Sequence, residues 1–278
     1  MTLTSTLTST LTSTMTSAIP SAMAIASRGV AKMHRTFAQR LARREVAMAW
    51  SDPVISFTFD DAPQSAFEWG IDTVQDAEGH ATFYCALGLL GSTTEVGRIA
   101  CIDDLHRARA QGHELGCHTF DHLDAWHTPA HAFLASIDRN AQAFRDALNL
   151  IPQSFSYPKS GARWPLKSQV ARRFLTCRGG AQGFHRDTAD LNLLRACFLD
   201  QQAGWSLQDL QRMIDDNQRH RGWLIFATHD VSPHPSPYGC TPAHLKEVVR
   251  RSVRSGARLW TVETAAGATS STAVSPTV

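Results

Sequence analysis

Several features that would settle a protein's class at a glance are missing from this sequence. None of its six cysteines stands at CxxC spacing to another, which argues against a zinc ribbon and a compact disulfide framework and favours a reducing compartment. Charge of one sign is lacking too: 27 Lys and Arg stand against 25 Asp and Glu, a net charge of +2. Most of that small excess lies near the N-terminus, so nucleic acid is not an expected partner. Long apolar runs are also absent. Residues 18–26 form a short patch broken by Pro20 with no charged segment before it, a poor secretory core and too short to span a bilayer. What is left, at 278 residues with 43% apolar and 19% charged, is an enzyme-sized globular chain suited to a small or neutral substrate.

The first fifty residues differ in kind from the rest. MTLTSTLTSTLTSTMTS is a Thr/Ser/Leu repeat too polar to build a core, and disorder is expected there. Beyond it, Arg35, Arg40, Arg43 and Arg44 stand against Glu45 alone, an acid-poor, Arg-rich character like that of an organelle transit peptide. The blander reading takes Met33 or Met48 as the true start. The expected organisation is an N-terminal extension over 1–50, one folded domain over 51–265 and a flexible tail over 266–278. The cytoplasm is the expected location, and organelle targeting or export are the alternatives raised by the extension.

From Asp52 onward apolar strands alternate with amphipathic helices. VISFTF reads as a strand, residues 65–78 as a helix with Phe67, Ile71 and Val74 on one face, and ATFYCALG as the next strand. The pattern recurs with helices over 102–111, 129–148, 166–174, 207–219 and 242–255, and with strands at HELGCHT, SFSYP, 175–177, WLIFATH and ARLWTV. About seven strands alternating with helices predict an α/β fold with a parallel sheet, either a barrel or doubly wound.

In both architectures ligands gather where strand C-termini enter loops. The first strand ends on Asp60 and Asp61, HELGC on His118-Thr119-Phe120-Asp121-His122, SFSYP on Lys159, and WLIFAT on His229. Taken singly, an HxxxH pair lacks the Glu of HExxH, and Asp-Asp before Ala-Pro reads as a turn. Together they place Asp60, Asp61, His118, His122 and His229 on one rim. Two imidazoles and a carboxylate are a common ligand set for a divalent metal with an open position.

TFDDAP at 58–63, HTFDH at 118–122, FSYP at 155–158 and THD at 228–230 resemble, in order and spacing, the polysaccharide deacetylases, the NodB-homology group of carbohydrate esterases. The resemblance spans roughly residues 54–262. It implies a distorted (β/α) barrel that removes acetyl groups from N-acetylated sugars of a glycan or glycoconjugate. It also implies Asp61, His118 and His122 as metal ligands, Asp60 as general base and His229 as general acid. Zinc suits the His₂-Asp set first, then cobalt or nickel. The nearer alternatives are an O-acetyl esterase or a small-amide hydrolase; a non-catalytic carbohydrate-binding relative belongs to another class.

The sequence departs from the family at one wall of the site. Where Tyr-Gly usually follows FSYP, it reads Lys159-Ser160, with Gly161 one position late. A backbone donor survives a change of side chain, so the Lys159 N–H is the expected oxyanion donor. The arginine that usually precedes this motif is replaced by Ser156, and Arg195 is the candidate to orient the base instead. Sugar rings stack on aromatic faces, which makes Trp126 and Trp164, just after site-bearing strands, and Tyr157 the candidate substrate contacts.

Overall fold

The computed structural model describes residues 33–34, 36–179 and 182–269. Eight strands form one sheet: β1 (Val54–Phe59), β2 (Thr82–Cys85), β3 (Glu114–Cys117), β4 (Ser154–Ser156), β5 (Thr176–Arg178), β6 (Cys197–Phe198), β7 (Trp223–Thr228) and β8 (Arg258–Leu259). Their order is β6-β7-β1-β2-β3-β4-β5, and every pairing in the sheet is parallel. β8 adds to β1 at Val54 and Ile55, on an edge whose other end, Thr58 and Phe59, pairs with β2. The two ends of the path approach each other, since Leu194, just before β6, bridges Arg178 of β5. This is the distorted barrel of about seven parallel strands that the sequence led us to expect.

Helices cover the outside: α1 (Ile71–Gln75, preceded by a π-helical turn at Ala66–Gly70), α2 (Ile102–Ala110), α3 (Ala130–Leu148), α4 (Leu166–Val170), α5 (Leu207–His220), α6 (Pro242–Arg254) and α7 (Val262–Gly267). Side chains alternate across a strand, so Ile55, Phe57 and Phe59 leave β1 on one face and Val54, Ser56 and Thr58 on the other. The first set packs with Phe83, Leu115 and Phe226 against Ile71 and Val74 of α1, Leu105 of α2, Leu210 and Ile214 of α5 and Leu245 and Val248 of α6. Burying each of these large side chains contributes about 1.5–3 kcal/mol.

The inner face is partly polar and pairs with itself. Trp223 Nε1 donates to Ser56 Oγ at 2.9 Å, and Glu114 accepts from Thr82 Oγ1 at 2.7 Å and from Ser154 Oγ. Buried polar groups satisfied in this way cost little and fix the strand register.

Two boundaries differ from expectation. Residues 36–50 are part of the domain: Glu45–Ala47 pairs antiparallel with Thr188–Asp190, Ala38 is buried, and Arg44 Nη2 donates to the Phe174 carbonyl at 3.1 Å. Lys167 Nζ ties the same region together, reaching Asp190 Oδ2 at 2.7 Å and the Leu41 carbonyl at 3.1 Å. Of the arginines that suggested a leader, Arg43 pairs with Glu45 and Arg44 serves backbone carbonyls. ARLWTV is not one strand, because Thr261 caps α7 by accepting from the Thr264 N–H at 3.1 Å. The Thr/Ser repeat at 1–17 and most of the expected tail lie outside the described residues.

Candidate active site

All the strands end at the same rim, and the loops that follow carry the chemistry. Asp60 and His118 continue the inner-face alternation of β1 and β3 and are buried, at 3% and 1% exposure. Asp61 breaks it: its left-handed backbone (φ 62) keeps the carboxylate at the rim. Ala62, Thr119, His122 and Lys159 are left-handed as well, so five of the nine non-glycine positive-φ residues in the described chain surround this site. Such concentration is typical of functional loops held by their surroundings.

Those surroundings are visible in the HTFDH loop. Asp121 is its anchor: Ser136 Oγ of α3 donates to Asp121 Oδ2 at 2.6 Å, and Arg139 pairs with the same carboxylate. Ser136 also accepts from the Phe120 N–H at 3.1 Å, and Thr119 Oγ1 from the Leu123 N–H at 3.0 Å. Thus held, His122 Nε2 lies 3.0 Å and His118 Nε2 3.2 Å from Asp61 Oδ1.

This trio fits a divalent cation on three grounds. Its donor atoms all lie within 4.8 Å of one another. His118 Nδ1 is 2.8 Å from the Ser156 carbonyl, which can only accept, so the proton is on Nδ1 and the Nε2 lone pair faces Asp61. Finally, the contacts with the two imidazoles do not satisfy hydrogen-bond geometry, leaving Asp61 Oδ1 a buried carboxylate oxygen with no hydrogen-bond partner. A buried anion of that kind calls for a cation.

Asp60 has a different partner. Arg178, at the end of β5, is fully buried and its Nη2 pairs with Asp60 Oδ1; it also donates to Ser156 Oγ at 2.7 Å. The guanidinium lies over the Tyr84 ring, 5.1 Å from its centre. Burial opposes charge on Asp60, but Arg178, followed by His118 and His229, outweighs it and holds the carboxyl below its usual range. Asp60 is therefore ionised at neutral pH.

Arg178 corrects the assignment of Arg195. Arg195 is exposed and lines a separate cavity of about 300 Å³ with Arg43, His185 and Asp190. Ser156 and Arg178 are register partners on β4 and β5, so an arginine stands one strand away from the position, 156, where the resemblance led us to expect one. A basic residue closing a strand, like Asp60 and Asp61 closing β1, was the signal that could have found it.

His229 follows β7. Its Nδ1 is 3.0 Å from the Tyr238 carbonyl, so Nδ1 carries the proton and Nε2 is free for the cleft. Asp230 shapes that loop by accepting from the Ser236 N–H at 2.8 Å and from its hydroxyl. The cleft, about 670 Å³, is lined by Asp60, Asp61, His118, His122, Lys159 and His229, with Phe198, Asp200, Gln202 and Tyr238 among its other walls.

Tyr157, Trp126 and Trp164, the expected substrate contacts, do not line it. Tyr157 is 1% exposed and stacks on Phe133 in the outer core. Trp126 packs on Gly161, where a Cβ would come within 2.4 Å of its Cδ1, which explains a glycine at that position. Trp164 is half-buried, and its carbonyl takes a hydrogen bond from His34 Nδ1 at 2.8 Å. The cleft's aromatic residues are instead Phe198 and Tyr238, both packed against His229.

Comparison with known proteins agrees with this geometry. Solved structures with the same fold include the peptidoglycan deacetylase PdaC from Bacillus subtilis, 18% identical over 78% of this chain and 92% of that one, with a TM-score of 0.52. The family 4 carbohydrate esterase from Streptomyces lividans is 15% identical over 74% and 91%, with a TM-score of 0.53. The chitin deacetylase from Colletotrichum lindemuthianum is 14% identical over 77% and 88%, with a TM-score of 0.54. Comparison with curated proteins returns no match. Residues 48–173, which carry TFDDAP, HTFDH and FSYP, match the polysaccharide deacetylase family model, and that part of the chain is similar to the family.

Proposed function

We infer that the protein is a metal-dependent hydrolase that removes acetyl groups from N-acetylated sugars of a glycan or glycoconjugate. The observation that carries this reading is the juxtaposition, in one cleft, of the Asp61-His118-His122 trio, the Arg178-held Asp60 and the free Nε2 of His229. The trio would hold a divalent cation, zinc in the first instance and cobalt or nickel next. When bound, such a cation acts as a Lewis acid toward water and the acetyl carbonyl.

The chain's own residues supply the proton transfers. Asp60, kept ionised by Arg178, accepts a proton from water as its oxygen attacks the acetyl carbon. The Lys159 N–H donates to the carbonyl oxygen as negative charge gathers there. His229 Nε2, protonated at this stage, gives its proton to the nitrogen as the C–N bond breaks, since an amide anion leaves poorly. Acetate and a free amine result. All six cysteines are unpaired, which supports a cytoplasmic site of action; cell fractionation tests that part.

The decisive experiment measures acetate release from N-acetyl chitooligosaccharides and from an O-acetyl ester, with and without a chelator. Release from the amide, lost with the chelator and restored by zinc, is expected. No acetate from any substrate while metal stays bound at one per chain would sink the enzyme reading.

A further inference from the structure

Among the residues lining the cleft, Lys159 is the one lysine or arginine. It is exposed, with no ion-pair or hydrogen-bond partner for its ammonium among the described residues. Arg178, beneath the rim, is matched by Asp60, whereas Lys159 makes no such ion pair among the described residues.

Its placement is also costly. Lys159 sits in a short 3₁₀ turn, Pro158–Ser160, at φ 55 and ψ 23, a left-handed conformation that glycine adopts more readily than a residue with a side chain. The turn therefore presents a long flexible cation where a bare backbone would be easier. That cation stands on the His122 side of the cleft, and its charge is felt at His122 and at Asp124. The same cleft also carries the carboxylates of Glu95 and Asp200.

We propose that Lys159 is a specificity-determining residue that selects substrates bearing an anionic oxygen group, carboxylate or phosphate, on the sugar that carries the acetamide or on its immediate neighbour. The idea rests on the deacetylase reading for its acetamide but not for its charge preference. A lysine ammonium is a mobile point charge with three donors, suited to either anion without a fixed fork. A charge-assisted hydrogen bond of this kind changes affinity by roughly tenfold or more.

Two measurements test it, both on the zinc-loaded full chain. Acetate release is compared for N-acetylglucosamine, N-acetylmuramic acid (a carboxylate) and N-acetylglucosamine 6-phosphate, and binding of the same three sugars is followed by calorimetry. The wild type should prefer at least one acidic sugar over the neutral one by about tenfold, with the preference weakening as salt is raised. Lys159→Gln should remove that ratio and Lys159→Glu reverse it, chiefly through KM, and the two acidic sugars separate carboxylate from phosphate. Lys159→Gly, which relieves the backbone, should fold at least as well and lose the ratio in the same way. Ratios unchanged in all three variants, or a wild type blind to charge, would overturn the proposal. Charge-selective binding without any acetate release would leave it standing and remove the deacetylase reading.

Discussion

Arg178 and Ser156 face each other in register across β5 and β4, and the guanidinium that reaches Ser156 Oγ at 2.7 Å also holds Asp60. The two side chains thus share one neighbourhood at the end of adjacent strands. Arg178→Ser should leave Asp60 buried without its cation, lowering stability by about 3–5 kcal/mol and kcat by a hundredfold or more. The double variant Ser156→Arg with Arg178→Ser returns the charge to the same carboxylate from the other strand. It should recover at least tenfold in kcat/KM and much of the thermal stability; steady-state kinetics and melting curves on the three proteins decide.

The trio around Asp61 leads to a direct binding prediction. Elemental analysis should find one divalent ion per chain, reduced below a tenth in His118→Ala and Asp61→Ala. Zinc at a hundredfold over its Kd should stabilise the wild type by about 2.7 kcal/mol, or roughly 5–10 °C in Tm, and leave those variants unmoved. Equal shifts in wild type and variants would place the ion elsewhere.

His229 acts on the leaving group, so its importance depends on what leaves. His229→Ala should lower kcat on an N-acetyl sugar by roughly 10²–10⁴. On an O-acetyl ester, whose alkoxide departs more easily, the loss should be at least tenfold smaller. Parallel losses on both substrates would point to a role in binding.

Two buried histidines far from the chemistry govern acid stability. Burial lowers His113 to about 4, with His80 adding to the effect, and lowers His185 to about 4, with Arg195 adding. Unfolded, each titrates near 6.5, so between about 6.5 and 4 the unfolded chain binds more protons than the folded one. Stability is therefore full above about 6.5 and falls as the pH drops through this window. Melting temperatures across it should decline, and His185→Asn, which keeps an acceptor for the Arg195 N–H at that site, should flatten the decline.

Long, strongly patterned elements were legible in the sequence: VISFTF and WLIFAT as strands, the helices near 102–111, 129–148, 207–219 and 242–255, and the polar strand ends. Among the short elements the strand in SFSYP was read, but the two residues of β6 are too few for a period to show. Asp60, Asp61, His118 and His122 could be read because each lies at the end of a recognisable strand or in the loop that follows it. Arg178 closes a strand as well, but its partner Asp60 follows only from the long-range pairing that sets β5 beside β4. The walls of the cleft at Phe198, Asp200 and Tyr238 come from the end of the two-residue β6 and from loops, and they depend on the folded path alone.

β1 is bonded to β7 along all six residues, while its other edge is shared between β8 and β2. Exposing its amides means parting three strands at once, so they should be among the slowest in the protein to exchange with solvent. Asp60 and Asp61 are fastened to the end of that strand. An ion reaching them meets oxygen donors already in place, and its uptake should be limited by the shedding of its own water rather than by rearrangement of the chain.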